Sequence, residues 1–315
     1  MKKISVVGSL SYDLVMQVPR RPRQGETIIG TAFNTFVGGK GNNQALAAAR
    51  SGAKVSMIGR VGKDSFGDEV QNKQEKTGID TSCLFRDEEV GTGIADILID
   101  ANGENSIAIA PQANGRLCAA DIDKALPVLK ESSYVLMQLE IPVPTVLYAA
   151  KKAKELGLTV VLNPAPAPAE GSLPDELLSL VDIIIPNQTE AEILTGIQVR
   201  DIPSGIEAAK VLQKKGLKQV IITMGEMGAL LIDENKPAHM CPPFEIKVLD
   251  TTAAGDAFCG ALVAALAKGN ELEAAMHYAC AAGALATTKL GAEPSLPKAE
   301  EIQKLVDNRL ANVNA

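Results

Sequence analysis

The chain has 315 residues, of which 46% are hydrophobic and 3% aromatic, and its formal net charge is −7. Such a chain is long enough for one large α/β domain or two small ones, and its acidic balance argues against nucleic acid or an anionic membrane as a partner. The first eight residues are typical of a buried strand and not of a signal peptide, and no run of about 18 apolar residues follows. We therefore expect a cytoplasmic protein without a nucleic-acid or membrane partner.

Apolar runs alternate with helical patterns along most of the chain. The strand-like runs are Ile4–Val7, Val55–Ile58, Tyr134–Met137, Thr159–Leu162, Ile183–Ile185, Val220–Thr223 and Ala229–Ile232. The helical patterns between them are Asn42–Ser51, Asp68–Thr77, Val143–Leu156, Pro174–Leu180, Glu190–Leu194 and Ser204–Lys215. This alternation predicts an α/β fold with a mostly parallel central sheet, helices on both faces, and ligands beyond the carboxyl ends of the strands.

Two segments interrupt this alternation. Residues 13–37 and 91–110 contain short strand patterns with no helix between them, and Asn102-Gly103 between two apolar runs is a hairpin signal. We expect these segments to form a small antiparallel β lid over a site, while residues 1–12, 38–90 and 111–315 form the α/β body. A surface hairpin without a covering role is the alternative. The exposed lid is also a surface on which a second copy can pair, which predicts a homodimer.

The cysteines and histidines show no metal-binding pattern. The five cysteines are Cys83, Cys118, Cys241, Cys259 and Cys280. Their number is odd and no pair has CxxC spacing, so we expect reduced thiols. The two histidines, His239 and His277, lie far apart in the sequence with no ligand pattern around them, and they predict no zinc site.

The segment GGKGNNQA at residues 38–45 leads from the lid into a helix. Its glycines let the backbone come close to a ligand, and Asn43 offers both a donor and an acceptor to a hydroxyl group. The spacing is neither that of a P-loop nor that of a dinucleotide-binding GxGxxG motif. Taken alone, the segment fits a glycine-rich helix start equally well.

The segment DTTAAGDAF at residues 250–258 predicts a tight turn into a helix. Residues 245–249 before it alternate as a half-buried strand does, and residues 257–268 predict a helix that Gly269 ends. Backbone N–H groups at such a turn bind anions, helped by the positive end of the helix dipole. Asp256 at this place is explained either by helix capping or by a role as the base that takes a proton from an attacking hydroxyl.

These two segments, in this order, resemble those of the ribokinase-like (phosphofructokinase B) family of sugar kinases. The likeness continues at four strand ends, with MQLE at 137–140, NPAPA at 163–167, PNQTEAE at 186–192 and TMGEMGA at 223–229. It covers nearly the whole chain and is strongest to the members that phosphorylate ribose. The resemblance implies a kinase that uses ATP and Mg²⁺, is activated by K⁺, and converts D-ribose to ribose 5-phosphate.

The resemblance also implies roles for individual residues. Asp256 is the base, and the amides of Ala253, Ala254, Gly255 and Asp256 form the anion hole for the transferred phosphoryl group. The sugar-binding residues are Ser11, Asp13, Gly39, Lys40, Asn43 and Glu140. The nucleotide-binding residues are Asn187, Glu190, Thr223, Gly225, Gly228, Gly255 and Cys280, and Glu190 acts indirectly on Mg²⁺. The residues around the monovalent cation are Asp250, Thr252, Ala286, Lys289, Gly291 and Ser295. For Asn187 and Glu190 a helix-capping pair is the alternative.

The sugar-binding segment departs from the family pattern. Ribose-phosphorylating members carry Asn two residues before the sugar-binding aspartate, where this chain has Ser11, and Tyr12 is bulkier than the residue usual there. Losing one buried hydrogen bond costs about 1–3 kcal/mol, so deoxyribose, another pentose or a nucleoside stays open as the acceptor. Cys280 replaces a polar or aromatic residue near adenine. A sugar-binding regulator without catalysis is a further alternative, which the intact Asp256 opposes.

Overall fold

The computed structural model describes residues 2–313 of the chain, and the side chains of residues 2–309. Thirteen β-strands in that range form two sheets. In chain order they are β1 (Lys3–Val7), β2 (Ser11–Gln17), β3 (Ala32–Gly38), β4 (Lys54–Gly62), β5 (Asp80–Asp87), β6 (Gly93–Ile99), β7 (Asn105–Ala110), β8 (Ser132–Met137), β9 (Thr159–Leu162), β10 (Ile183–Ile184), β11 (Gln219–Thr223), β12 (Ala229–Asp233) and β13 (His239–Cys241).

Eleven α-helices lie within the same described range. They are α1 (Lys40–Arg50), α2 (Ser65–Lys76), α3 (Ala119–Lys124), α4 (Leu126–Lys130), α5 (Val143–Glu155), α6 (Asp175–Leu180), α7 (Gln188–Thr195), α8 (Ile202–Lys214), α9 (Ala254–Ala267), α10 (Leu272–Ala286) and α11 (Ala299–Val313). None of the helices described is long and apolar enough to cross a membrane.

The large sheet has nine strands in the order β13-β12-β11-β10-β9-β8-β1-β4-β5. Its strands run parallel except for β12, which is antiparallel to both of its neighbours, β11 and β13. Side chains from alternate positions of one strand enter different apolar cores. Leu136 of β8 packs in one core, and Val135 and Met137 pack in the other. The sheet is therefore covered by helices on both faces, which confirms the predicted fold class.

The small sheet has four strands in the order β3-β2-β6-β7. The hairpin predicted around Asn102-Gly103 is present, with β6 and β7 antiparallel on either side of it. Side chains alternate along β2, so Asp13 and Tyr12 point to opposite faces. The Tyr12 ring stacks on Phe66 of α2 with centroids 4.4 Å apart, and its hydroxyl donates to Glu69. Tyr12 therefore anchors the small sheet to α2, and its bulk does not face the same side as Asp13.

The strand predicted at residues 245–249 is wrong. The sheet edge ends at Cys241, because Pro242 and Pro243 have no N–H group to continue a ladder. The chain then leaves the sheet as an irregular segment, in which Leu249 is 60% exposed. The helix that follows is present as α9, and Gly269 ends it with a φ of 96°.

Candidate active site

A small polar cavity lies at the carboxyl ends of β9, β10 and β11, where the N-terminal ends of α1 and α9 meet. Its volume is about 180 Å³, and its lining includes Lys40, Asn163, Glu190, Thr223 and Asp256. We call this cavity the polar chamber. It adjoins a cleft of about 650 Å³, the large cleft, and Gly255 lines both. The position of both cavities agrees with the ligand site expected for a parallel sheet.

Asp256 is the third residue of α9, and its side chain is buried at the wall of the polar chamber. Two amides of α1 hold its carboxylate: Asn43 Nδ2 donates to Oδ2 at 3.1 Å and Gln44 Nε2 donates to Oδ1 at 2.9 Å. Burial raises the pKa of Asp256, while the positive charge of Lys40 and the two amide donors oppose this rise. Asp256 is thus an oriented carboxylate, held by side-chain amides and not used to cap its own helix.

The turn before α9 has the backbone of an anion site. Ala253 precedes the helix in the left-handed region with a φ of 59°, and Ala257 N–H donates to its carbonyl at 2.8 Å. The amide of Ala254 donates to Thr251 O at 3.2 Å, so this amide is engaged within the turn. A methyl group placed on Gly255 would meet no protein atom within 4 Å. The first turn of α9 therefore faces open space at Gly255, where a helix N-terminus attracts negative charge.

A chain of buried amides fixes the orientation of Gln44. Gln138 Nε2 donates to Gln44 Oε1 at 2.6 Å, so the NH₂ group of Gln44 must face Asp256 and Asn163. A second chain runs from Gln74 to Asn42 and on to Asn43. The sequence reasoning assigned no role to Gln44, Gln138 or Gln74. The signal available was the presence of large polar amides within apolar helix and strand patterns.

The predicted sugar-binding residues converge on the lid side of the polar chamber. Ser11 Oγ donates to Asp13 Oδ1 at 3.1 Å. Glu140 Oε2 accepts from Ser9 Oγ at 2.5 Å and from the Lys40 amide at 3.0 Å. Gly39 has a φ of 91°, and a methyl group there would lie 2.8 Å from the Ser11 amide nitrogen, so only glycine fits. Of the predicted sugar-binding residues, Asn43 contacts Asp256 directly, through the 3.1 Å hydrogen bond described above.

Negative charges dominate this end of the site. Burial, followed by the neighbouring charges of Glu140 and Asp256, raises the pKa of Asp13 to about 6, although the Ser11 hydrogen bond opposes the rise. Burial alone lowers the pKa of the Lys40 ammonium group. The charges of Asp256, Glu140 and Glu190 outweigh burial and hold the pKa of Lys40 above its ordinary value. Lys40 is therefore a cation shared among three carboxylates.

The large cleft contains most of the predicted nucleotide-binding residues. Its lining includes Asn187, Thr223, Gly225, Gly228, Gly255 and Cys280. Glu190 lines the polar chamber instead. The sequence did not predict the apolar part of the lining, which includes Pro243, Phe244, Val248 and Phe258. Apolar walls with a few polar groups are typical of small-molecule sites.

Comparisons with known proteins agree with this geometry. The model of the pfkB family of carbohydrate kinases matches residues 1–299. The chain belongs to this family. A ribokinase of Haemophilus influenzae is 42% identical over 98% of this chain and 99% of its own length. A deoxyribokinase of Salmonella typhimurium is 38% identical over 96% of this chain and 97% of its own length. The structure of Arabidopsis thaliana ribokinase complexed with ribose and ATP matches with a TM-score of 0.91 and 31% identity, covering 97% and 98% of the two chains.

Asn187 and Glu190 of this carbohydrate kinase form a capping box at the start of α7. Asn187 Oδ1 accepts from the Glu190 amide at 2.8 Å, and Glu190 Oε2 accepts from the Asn187 amide at 2.9 Å. The capping alternative is thus correct as a description of their contacts. Burial raises the pKa of Glu190, and its Oε2 is the only carboxylate oxygen engaged in the cap. The second carboxylate oxygen of Glu190 is therefore outside the cap and can contact a ligand.

Three of the residues predicted around a monovalent cation, Asp250, Thr252 and Gly291, are joined by hydrogen bonds beside the turn before α9. Asp250 Oδ1 accepts from Thr252 N at 2.9 Å, and Oδ2 accepts from Gly291 N at 2.8 Å. The Lys289 ammonium group points away, to Glu301 at 3.2 Å, so only its backbone can contribute. Among the described residues, no group of three or more His, Cys, Asp or Glu side chains has a metal-binding arrangement. A cation at this loop would depend on carbonyl and hydroxyl oxygens.

The raised pKa of Asp13 predicts that Asp13→Asn stabilises the folded protein. Above pH 6 the buried carboxylate is charged and costs about 2–3 kcal/mol, the equivalent of the pKa rise from 3.8 to about 6. As the pH falls from 6 towards 3.8, the folded protein takes up a proton and loses this cost. The advantage of the variant should therefore fall to about half at pH 5. Urea unfolding at pH 8 and pH 5 measures both values.

Asp96→Asn is the matched control, because Asp96 is an exposed carboxylate on the neighbouring strand β6. This substitution should change the unfolding free energy little at either pH. A loss of stability in Asp13→Asn of equal size at both pH values would contradict the electrostatic explanation.

Proposed function

We propose that this chain is an ATP-dependent pentose kinase that phosphorylates the primary hydroxyl of D-ribose to give ribose 5-phosphate. The observation that carries the proposal is the position of Asp256. Its carboxylate faces the polar chamber, while the adjacent Gly255 lines both this chamber and the large cleft. A sugar hydroxyl in the chamber and a phosphate in the cleft would meet at this turn. The Arabidopsis thaliana relative complexed with ribose and ATP supports the assignment of both ligands.

In the proposed reaction, Asp256 accepts the proton of the sugar hydroxyl while the hydroxyl oxygen attacks the terminal phosphoryl group of ATP. Asn43 and Gln44 donate to different oxygens of the carboxylate and so fix its plane. Each oxygen keeps a lone pair for the incoming proton. Burial raises the pKa of Asp256, which makes its carboxylate a stronger base than an exposed aspartate.

On the phosphoryl side of the site, the start of α9 and Lys40 offer hydrogen-bond donors. The first-turn amides of Gly255 and Asp256 and the ammonium group of Lys40 are the groups placed to receive the charge that develops on the phosphoryl oxygens. Asn187 and Glu190 would hold Mg²⁺ through its water ligands, since Glu190 is buried in the chamber with one oxygen outside its cap. When bound, Mg²⁺ neutralises phosphate charge and orients the transferred group.

Removal of the base tests the mechanism. Asp256→Asn keeps the size of the side chain but cannot accept the proton, so kcat should fall by about 10²–10⁴-fold. Ribose binding, measured by calorimetry, should be largely retained. The control is Asp201→Asn at the exposed N-cap of α8. This variant also removes a carboxylate, but asparagine can still cap the helix. Near-normal turnover of Asp256→Asn would remove Asp256 from the mechanism.

Deoxyribose is the second candidate acceptor, and Ser11 is the observation that favours it. The Ser11 hydroxyl is buried and donates its one proton to Asp13, so it can accept from a sugar hydroxyl but has no proton to donate to one. Asp13 and Glu140 can still accept from neighbouring hydroxyls, and Asn43 can bind the ring. The Salmonella typhimurium deoxyribokinase among the relatives agrees with this alternative. We infer that discrimination against 2-deoxyribose is weak in this enzyme.

Restoration of the longer amide tests the role of position 11. Ser11→Asn should raise the preference for ribose over 2-deoxyribose, as the ratio of kcat/KM values, by roughly 5- to 150-fold, equivalent to about 1–3 kcal/mol for one hydrogen bond. A coupled assay of ADP release over pentoses, hexoses and nucleosides gives the ratio. The proposal fails if wild-type protein is inactive on both pentoses while a nucleoside or hexose is a good substrate. Inactivity on every acceptor would favour the sugar-binding regulator.

We also propose that K⁺ binds between Asp250 and the loop of residues 286–295 and orders the turn before α9. The amides of Leu249 and Asp250 both donate to Thr287 O, which joins the two segments. Activity in K⁺ should exceed activity in tetramethylammonium by at least about 5-fold, the lower end of typical coupling between sites. Asp250→Asn should lose most of this difference. Equal rates of the wild-type protein in both salts would contradict the cation site.

We infer that the small sheet is a lid and that two copies of the chain pair through it. Ile107 and Ile109 are 54% and 58% exposed, and alternation places both on the face that carries Asp13. The double substitution Ile107→Lys and Ile109→Lys should convert a dimer into a monomer in sedimentation experiments. Ser106→Lys adds charge to the opposite face of the same strand and should leave the dimer intact. A wild-type monomer at all concentrations would contradict the inference.

A further inference from the structure

A chain of buried side-chain amides ends on one oxygen of the Asp256 carboxylate. Gln138 Nε2 donates to Gln44 Oε1 at 2.6 Å, and Gln44 Nε2 donates to Asp256 Oδ1 at 2.9 Å. The same Gln44 NH₂ group donates to Asn163 Oδ1 at 3.0 Å, and Asn163 Nδ2 donates to the carbonyl of Ile185 at 2.8 Å. Because a backbone carbonyl can only accept, it fixes the direction of Asn163, which in turn fixes that of Gln44. The chain therefore points a donor at Asp256 for reasons independent of this carboxylate.

A second chain ends on the other carboxylate oxygen and has the same direction. Gln74 Nε2 donates to Asn42 Oδ1 at 3.1 Å, Asn42 Nδ2 donates to Asn43 Oδ1 at 3.3 Å, and Asn43 Nδ2 donates to Asp256 Oδ2 at 3.1 Å. In both chains each NH₂ group faces inward, towards the carboxylate. Hydrogen bonds that follow one another in this way polarise each other, so the outer amides strengthen the donors that touch Asp256.

The outermost amides of the two chains, Gln138 and Gln74, are separate from the ligand cavities. Both side chains are fully buried, and their Oε1 atoms have no hydrogen-bond partner within residues 2–309. Neither of these two described residues lines the polar chamber or the large cleft. A buried acceptor without a donor is unfavourable, so an apolar side chain would serve packing alone better at both positions. The NH₂ group of each glutamine is what explains its presence.

We propose that the two amide chains are a positioning device, which keeps Asp256 ionised and oriented so that it can accept the proton of the sugar hydroxyl. Gln138 and Gln74 are then positioning residues, because they act on the base only through other amides. Their effect on catalysis rests on the proposed function, whereas their effect on the charge of Asp256 does not. Hydrogen bonds to a carboxylate favour its charged form, whereas burial favours the protonated form, which cannot act as a base.

The amide donors act on Asp256 together with several charges. Burial raises the pKa of Asp256, and the charge of Lys40 and the two amide donors oppose this rise. The other titratable neighbours come from separate elements, namely Glu140 after β8, Glu190 on α7, Asp13 on β2 and Cys259 on α9. Substitution of an amide leaves all these groups in place. A change in the pKa of Asp256 would therefore report the lost hydrogen bond.

The first test replaces Gln44 by an apolar side chain of similar length. Gln44→Met removes one donor, and the pKa of Asp256 should rise by about 1–2 units, the equivalent of one hydrogen bond to a charged group. The acidic limb of kcat, measured with saturating ribose and ATP, should move to higher pH by the same amount. Above this limb kcat should approach the wild-type value, and KM for both substrates should change little. A variant with merely disturbed packing would instead lose activity by the same factor at every pH.

The second test observes the carboxylate itself, without catalysis. In protein labelled with ¹³C at the aspartate carboxyl groups, NMR titration gives the pKa of Asp256 from the signal that Asp256→Asn lacks. This pKa should rise in Gln44→Met and, by a smaller amount, in Gln138→Met. The control is Gln303→Met, which removes an exposed amide that donates to Asp307 at 2.8 Å. This control should leave the pKa of Asp256 unchanged.

The wild-type protein decides the matter if Gln44→Met and Gln138→Met do not fold. The side-chain NH₂ signals of Gln138 should titrate with the pKa of Asp256, because the bonds between them transmit the change in charge. The NH₂ signals of Gln303 should not follow this titration.

Three results would overturn the positioning role. They are an unchanged pKa of Asp256 in Gln44→Met, an equal loss of kcat at every pH, and Gln138 signals that do not respond to the titration of Asp256. A different result separates this role from the proposed function. If the pKa shifts as expected but the wild-type protein phosphorylates no acceptor, the amide chains are confirmed and the kinase function is contradicted.

Discussion

The site depends on the burial of negative charge around one cation. Asp256, Glu140 and Glu190 all act on Lys40, and Asp13 adds a fourth carboxyl group nearby. Each buried charge costs several kcal/mol unless it is paired or hydrogen-bonded. Side-chain amides and backbone N–H groups offset part of this cost, but Asp13 and Asp256 keep raised pKa values. The buried carboxylates therefore have an electrostatic cost, which the hydrogen-bond donors of a sugar or a bound metal cation would reduce. The large apolar cores supply stability that offsets this cost.

The second requirement is a close approach of α1 and α9. Asn43 and Gln44 on α1 reach Asp256 on α9 only because small residues line the contact between these helices. A methyl group on Gly260 of α9 would lie 2.5 Å from the carbonyl oxygen of Gln44 and 2.6 Å from the Cβ atom of Ala47 on α1. The abundance of alanine and glycine in both helices is thus a condition for the hydrogen bonds of the base, and not only a sign of helix propensity.

Local patterns in the sequence were enough to predict much of the fold. The alternation of apolar runs with helical patterns predicted the parallel sheet, and Gly269 predicted the end of α9, because both signals depend on short-range geometry. The prediction of a strand at 245–249 was wrong because Pro242 and Pro243 end the sheet edge before this segment, although the segment alternates polar and apolar residues as a strand does. The chain of amides through Gln138 and Gln44 was missed because it joins residues 94 positions apart. Only the packed structure shows such contacts.

The arrangement of donors and acceptors around Asp256 restricts what the proposed enzyme can phosphorylate. On the lid side the groups are acceptors, Asp13 and Glu140, which bind neutral hydroxyls and repel anions. On the cleft side they are the amides at the start of α9, which attract anions. A sugar that already carries a phosphate would place this charge against two carboxylates. The geometry therefore favours an uncharged polyol as acceptor and an anionic donor, and it sets the direction in which the phosphoryl group enters the chamber.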